Sequence, residues 1–185
     1  MDELLTEDGE PRPVAVALMR LISRIGEKEL RERQRIAELD ILSMGITFTV
    51  YTDGENIDRA WPFDIVPRVI AGSEWDAIAL GLQQRLWAIN HFINDLYNDQ
   101  NIIADGVFPA ELLESSVNYR PWCRGITPPL GVWAHISGTD LVRDDDGQMY
   151  VLEDNLRVPS GVSYVIENRG VAKRGFGELF ERQRI

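Results

Sequence analysis

The chain has 185 residues, of which 44% are hydrophobic and 26% are charged, and its formal net charge is −11. This composition is typical of a globular protein with one sizeable core or two small lobes. The acidic balance argues against non-specific binding to nucleic acid, which needs many Lys and Arg side chains. The single cysteine, Cys123, excludes a disulfide within the chain and a cysteine-based zinc site. The cysteine content and the acidic N-terminus, which does not look like a signal peptide, favour a cytoplasmic location.

The N-terminal part of the chain is predicted to form one long helix. Residues 1–13 are polar, and we expect them to be flexible. Apolar residues then recur at three- and four-residue spacing, which predicts a helix over 14–44. We expect this helix to break near Gly26 and to end at Gly45, because glycine commonly ends a helix.

The segments that follow alternate between extended and helical patterns. The β-branched run GITFTVY predicts a strand over 45–51, and TDGEN predicts a turn over 52–56. Two prolines indicate an extended or irregular segment over 59–70. A capping-box-like SEWD and a continuous apolar stripe predict a second long helix over 73–98, and a short helix is predicted over 109–117.

The C-terminal third has the character of a sheet. Strands are predicted over 131–137, 140–143 and 148–154, the last two joined by a DDDG turn, and a helix is predicted over 161–169. The apolar residues of the tail, Phe176, Leu179 and Phe180, are candidates for an interface that this chain leaves uncovered, which is one ground for the rival hypothesis given below.

These elements predict an α/β fold of the mixed α+β kind, with a largely antiparallel sheet and long flanking helices. The predicted division is a flexible N-terminus (1–13), a helical or mixed lobe (14–117) and a β-rich lobe (118–185). One continuous domain over the two lobes is the alternative.

A run of acidic residues lies in the β-rich segment. Asp144, Asp145 and Asp146 precede Gly147, which is turn chemistry that keeps the carboxylates in water. A calcium-binding EF-hand loop is rejected, because Val142 would occupy its first ligand position and the flanks read as strands.

A second set of polar residues in this segment can converge on a cation. Asp140 lies on one predicted strand, while Glu153 and Asn155 lie two residues apart on the next and so share a face. Two carboxylates and an amide suit Mg²⁺, which completes its shell with water and phosphate oxygens. The spacing alone leaves a metal site and a structural cluster both open.

Groups that suit a phosphate lie close to this set in sequence. Arg143 and Arg157 flank it, and Arg binds phosphate in a bidentate manner. The following VPSG loop offers backbone N–H groups, with the Ser160 hydroxyl and Gly161, near a predicted helix start.

The run RPWCRGITPPLGVWAHISGTDLVRDDDGQMYVLEDNLRVPSGVSYVIENR, residues 120–169, closely resembles circularly permuted ATP-grasp proteins related to glutathionylspermidine synthase. The runs at 81–109 and 45–70 are similar to the same family, so the resemblance covers about 14–183. It implies an ATP-grasp-like fold and an ATP-dependent carboxylate–amine ligase that forms an amide through an acyl phosphate.

The resemblance also implies roles for particular residues. Mg²⁺ is expected on Asp140, Glu153 and Asn155, between the phosphates of ATP. Arg143 and Arg157 are expected to act on the phosphates as catalytic residues, with Ser160 and Gly161 in the loop around the nucleotide. Arg120 and Arg124 are candidates for binding an anionic carboxylate or peptide substrate, and a structural salt bridge is the alternative for both.

The chain departs from the family in its length. Family members carry a nucleotide-binding lobe that is expected after the magnesium motif, so the chain is interpreted as the N-terminal portion of an incomplete ATP-grasp. The rival hypothesis is a non-catalytic binding module, or a fragment that needs a partner polypeptide for the missing lobe.

Overall fold

A computed structural model describes residues 2–52 and 55–181 of the chain. In chain order its elements are α1 (Val16–Ser43), β1 (Thr47–Thr52), β2 (Glu55–Ala60), α2 (Gly72–Tyr97), α3 (Asn101–Ala104), α4 (Ala110–Glu114), β3 (Gly138–Arg143), β4 (Met149–Asn155), α5 (Gly161–Gly175) and α6 (Gly177–Phe180). β1 pairs with β2 and β3 pairs with β4, both antiparallel. The predicted mixed α/β class is therefore confirmed. No helix in the described ranges is long and apolar enough to cross a membrane.

The described residues group into two compact units, one formed by 1–71 with 160–185 and the other by 72–159. The predicted lobe boundary at residue 118 lies within the second unit. The first unit contains α1, the β1–β2 hairpin, α5 and α6, and the second contains α2, α3, α4 and the β3–β4 hairpin.

The long first helix has the predicted break and the predicted end. Gly26 has φ 76° and ψ 169°, so the helix is interrupted there. Gly45 has φ 69°, a left-handed conformation that costs glycine little, and its N–H donates to the carbonyl of Leu42 at 3.0 Å. The N–H of Ile46 then donates to the carbonyl of Ile41 at 3.3 Å, which satisfies another of the terminal carbonyls.

The strand after this helix continues into a hairpin that the sequence did not predict. β1 confirms the strand expected over 45–51, although it begins at Thr47 and ends at Thr52. β2 replaces part of the segment expected to be turn or irregular, and Asp53 and Gly54 of the predicted turn lie outside the described residues.

The segment after β2 is irregular as predicted, and one glutamine of α1 holds it. The Gln34 side chain donates to the carbonyl of Phe63 at 2.7 Å and accepts from the N–H of Ile65 at 2.8 Å. These two bonds satisfy backbone groups that have no strand partner.

The core of the first unit joins α1 to the C-terminal helices. Its buried residues are Leu21, Ala37, Ile41, Ile65, Val171 and Phe176. Leu179 and Phe180 pack against this cluster. Phe176 is buried in the cluster and Leu179 and Phe180 are half-buried against it, so the chain's own core covers much of the interface that the sequence suggested was uncovered.

The predicted strand over 131–137 is wrong. Two of its backbone donors are satisfied by a side chain of α2: the Asn90 amide oxygen accepts from the N–H of Trp133 at 2.7 Å and from that of Ala134 at 3.0 Å. The Trp133 ring also stacks on Tyr97, with centroids 4.9 Å apart. A segment bound in this way has no need of a ladder partner, so it remains irregular.

The remaining helices differ from the prediction mainly at their ends. α2 runs nearly as expected, α4 ends earlier, at Glu114, and α5 runs further, to Gly175. The Asp95 carboxylate accepts from the backbone N–H groups of Ile102 and Asn101, both at 3.0 Å, at the start of α3. These bonds hold the pKa of Asp95 below its ordinary value.

Candidate functional site

The β3–β4 hairpin turns where the sequence predicts. The Asp144 N–H donates to the carbonyl of Gln148 at 2.9 Å, and the Asp144 carboxylate accepts from the N–H of Gln148 at 2.8 Å. Gly147 has φ 84° and closes the turn. Asp144 thus serves its own backbone, as the turn interpretation expects.

One extra residue in β4 decides which side chains share a face. From the turn, Arg143 pairs with Met149 and Leu141 pairs with Val151, but Asp140 then pairs with Glu153. Leu152 is the residue left over, so β4 carries a bulge there. Without it, continued pairing would set Asp140 opposite Leu152 and send Glu153 to the other face, because side chains alternate along a strand.

The predicted metal-binding residues are brought together on this face. Asp140 lies directly opposite Glu153, and Asn155 lies two residues further along β4. The Asn155 amide nitrogen lies 3.1 Å from Glu153 Oε1 and 3.4 Å from Asp140 Oδ2. All three side chains are exposed, so a ligand can approach them from solvent.

The chemistry of these donors fits a hard divalent cation. Two carboxylates supply negative charge and the Asn155 amide supplies a third oxygen after a half-turn about its last side-chain torsion. No group of three or more His, Cys, Asp or Glu side chains within the described ranges could hold a metal ion. This set has two carboxylates and one amide, so water or phosphate oxygens would have to complete the shell of a bound Mg²⁺.

Arg143 does not lie on the face that carries Asp140, Glu153 and Asn155, which we call the oxygen set. Alternation along β3 sends its side chain to the opposite face, where the guanidinium pairs with Glu74 of α2 and donates to the carbonyl of Gly147 at 2.9 Å. These contacts give Arg143 a role in holding the turn end of the hairpin, and its catalytic role stays a prediction.

The remaining cations of the second unit fall into two groups. Arg85 and Arg143 pair with carboxylates. For Arg120, Arg124 and Arg157, no carboxylate partner is found within the described part of the chain. In an acidic chain, guanidiniums without a carboxylate partner are the ones available to an external anion.

Arg157 is the one of these three that lies nearest in sequence to the oxygen set. It follows Asn155 by two residues, directly after β4, and is exposed. Its side chain makes no hydrogen bond or ion pair with the residues that the structure describes. The predicted catalytic role of Arg157 on the phosphates stays a prediction.

Arg120 and Arg124 lie on the loop between α4 and β3. The Arg120 guanidinium donates to the carbonyl of Val117 at 2.7 Å and lies 5.8 Å from the centre of the Trp122 ring. Arg124 donates to the side-chain oxygen of Gln100 at 3.0 Å. The alternative of a structural salt bridge finds no support among the described contacts, and anion binding by these two residues stays a prediction.

Ser160 and Gly161 belong to the first unit, at the start of α5. The carbonyl of Ser160 accepts from the N–H of Ser163 at 3.1 Å, and the Ser160 hydroxyl makes no capping hydrogen bond. Their predicted part in nucleotide binding stays a prediction.

The segment that leaves β4 folds tightly against the open end of the hairpin. A Cβ atom added to Gly138 would lie 2.8 Å from Cβ of Pro159, so only glycine fits opposite Asn155 without moving Pro159. Val158, just before this contact, has φ 51°, which is unfavourable for a β-branched residue. The segment beside the oxygen set is therefore held in a strained conformation.

Replacing Val158 with Asn is expected to stabilise the protein by about 1 kcal/mol, because Asn tolerates the left-handed conformation better than valine. Val158 is 78% exposed, so the change removes little packing. Urea unfolding measures the gain. The same change at Val165, an exposed residue of helix α5, should not stabilise; a loss of stability in Val158→Asn would contradict the strain argument.

The fold and the oxygen-bearing hairpin agree with an ATP-grasp protein. Residues 67–185 match the family described as circularly permuted ATP-grasp type 2, and the chain belongs to this family. The resemblance to circularly permuted ATP-grasp proteins is thereby confirmed.

Curated relatives extend the similarity to nearly the whole chain. The uncharacterized protein sll0335 of Synechocystis sp. is 47% identical over 180 residues, which is 97% of this chain and 37% of the relative. The uncharacterized protein Rv2411c of Mycobacterium tuberculosis is 39% identical over 184 residues, 100% of this chain and 33% of the relative. A Frankia casuarinae protein named "Putative glutamate--cysteine ligase 2-2" is 38% identical over 178 residues, 96% of this chain and 20% of the relative. The chain thus spans about a third of the length of the first two and a fifth of the third.

Proposed function

We propose that the protein takes part in an ATP-dependent carboxylate–amine ligation, with its β3–β4 hairpin supplying the magnesium-binding residues. The observation that carries the proposal is the convergence of Asp140, Glu153 and Asn155 on one exposed face. Membership of the ATP-grasp family supports the nucleotide, and the names of the Frankia relatives support an amide-forming ligase class.

In this proposal the two carboxylates hold the cation and the arginines hold anions. Bound Mg²⁺ would offset charge on the phosphate oxygens of ATP. Asp140 and Glu153 match its double charge, and Asn155 contributes a neutral oxygen. Arg157 meets the phosphates from the end of β4, because its guanidinium is not engaged by a carboxylate in the described structure.

The substrate carboxylate is assigned to Arg120 and Arg124, since an acid that is to be activated as an acyl phosphate arrives as an anion. Ser160 and Gly161 are proposed to contribute hydrogen-bond donors to the nucleotide. A cytoplasmic location follows from the same proposal, since ATP is a cytoplasmic substrate.

A thermal-shift titration with ATP, with Mg²⁺ and with both tests the nucleotide site. We expect a rise in Tm that requires both ligands, equivalent to about 2.7 kcal/mol at a ligand concentration a hundred times Kd. Mg²⁺ with AMP is the matched control, because AMP lacks the β and γ phosphates. An equal rise with ATP alone would overturn the magnesium assignment. No rise in a folded sample would favour the rival hypothesis, in which this part of the protein needs a partner polypeptide to bind the nucleotide.

A further inference from the structure

The residue between two of the proposed metal ligands faces away from the metal. Asp154 lies between Glu153 and Asn155 in β4, but its side chain is only 9% exposed and lies on the opposite face of the hairpin. Its Oδ1 accepts from the Thr139 hydroxyl at 2.9 Å, and its Oδ2 accepts from Nε of Arg85 at 2.7 Å. Both carboxylate oxygens are therefore bound from directions set by β3 and α2.

Helix α2 holds the hairpin at its two ends by two ion pairs of the same kind. Glu74 pairs with Arg143 at the turn end. Arg85 pairs with Asp154 at the open end, where Asp154 is opposite Thr139. Only the Arg85–Asp154 pair adjoins the oxygen set. It can therefore position the proposed metal ligands, whereas the Glu74–Arg143 pair can position only the turn.

The bulge loosens β4 next to Glu153, and the bonds to Asp154 hold the strand there. Leu152 interrupts regular pairing directly before Glu153, and a bulged strand is locally less constrained by its ladder hydrogen bonds. A rotation of β4 about its own axis would carry Glu153 and Asn155 together, because both flank Asp154. A bound Asp154 side chain opposes that rotation.

We infer that Arg85 and Asp154 form a positioning pair that fixes Glu153 and Asn155 in the orientation needed to bind a divalent cation. The inference rests on the proposed metal site and adds to it two residues that touch neither metal nor substrate. Groups that orient ligands in this way commonly change metal affinity by a factor of ten or more when they are replaced.

The test is a Mn²⁺ titration of Arg85→Gln followed by electron paramagnetic resonance, up to millimolar concentrations. Positioning predicts a Kd for Mn²⁺ that is roughly tenfold higher than in the unmodified protein. Charge alone predicts the opposite, because removing a cation and leaving Asp154 unpaired would tighten the binding of a metal ion. The two explanations therefore differ in sign.

Three further variants complete the design. Arg85→Lys keeps a cation and is expected to restore much of the affinity. Glu74→Gln removes the ion pair at the turn end and should leave the Kd unchanged. Thr139→Val changes no charge and should raise the Kd in the same direction as Arg85→Gln, which keeps the test usable if that variant does not fold.

The outcomes separate this inference from the proposed function. If Glu153→Gln abolishes Mn²⁺ binding but Arg85→Gln and Thr139→Val bind as tightly as the unmodified protein, the positioning pair is overturned and the metal site stands. Equal weakening in Arg85→Gln and Glu74→Gln would show a general loosening of the hairpin, and would also overturn the inference. No Mn²⁺ binding by the unmodified protein would overturn the metal site itself.

Discussion

In the proposed ligation, replacing Glu153 with Gln is expected to lower magnesium-dependent ATP turnover by at least about a hundredfold without unfolding the protein. The change removes one of the two carboxylates in the proposed metal-binding set. Metal stabilisation of phosphoryl transfer amounts to several kcal/mol, with each 1.36 kcal/mol worth a factor of ten in rate. The Glu153 side chain is exposed and Gln has nearly the same shape, so the change costs little packing. ADP release measured against Mg²⁺ concentration, with circular dichroism of the same samples, checks both parts.

Asp146→Asn is the matched control for this variant. It also removes one carboxylate from the same hairpin, but Asp146 is an exposed residue of the turn. Turnover should stay within about twofold of the unmodified protein, as is usual for surface changes away from such a site. Equal losses in the two variants would mean that the general negative charge of the hairpin matters rather than the placement of Glu153.

Side-chain alternation along a strand predicts part of the candidate site but not all of it. The two-residue spacing of Glu153 and Asn155 places them on one face of any strand, and the DDDG turn predicts the hairpin. Whether Asp140 joins them depends on the bulge at Leu152, which reverses the facing of every residue after it. No local signal in the sequence marks that bulge, so spacing alone names Asp140 only as a candidate, and the resemblance to a family adds the support that spacing lacks.

Two contacts that sequence reasoning missed are long-range. Asn90 holds Trp133 across 43 positions, and Arg85 holds Asp154 across 69. Propensity identifies a strand-like segment at 131–137 but cannot show that a side chain of α2 has already bound two of its backbone donors. Helical spacing likewise identifies Arg85 only as a surface residue.

Replacing Phe176 with Ala is expected to lower the free energy of unfolding by about 3–5 kcal/mol. Phe176 is 0% exposed and packs in the cluster that joins α1 to α5 and the segment around Ile65. The Arg33 guanidinium also lies 5.6 Å from the centre of its ring and donates to the carbonyl of Gly175 at 2.7 Å. The backbone beside this ring is closely packed, because a Cβ atom added to Gly175 would lie 2.7 Å from Cδ1 of Ile65. Urea unfolding followed by tryptophan fluorescence measures the change.

Val165→Ala is the matched control for Phe176→Ala. It shows whether a loss of stability comes from the burial of the side chain or merely from its being apolar. Val165 also belongs to the C-terminal part of the first unit but is 67% exposed, so its truncation should change the free energy of unfolding by less than about 0.5 kcal/mol. If Phe176→Ala were as mild as Val165→Ala, the tail would not be part of the core, and an apolar surface awaiting a partner would be the better description. A large loss in Phe176→Ala alone would instead mean that α1 and the C-terminal helices fold as one cooperative unit.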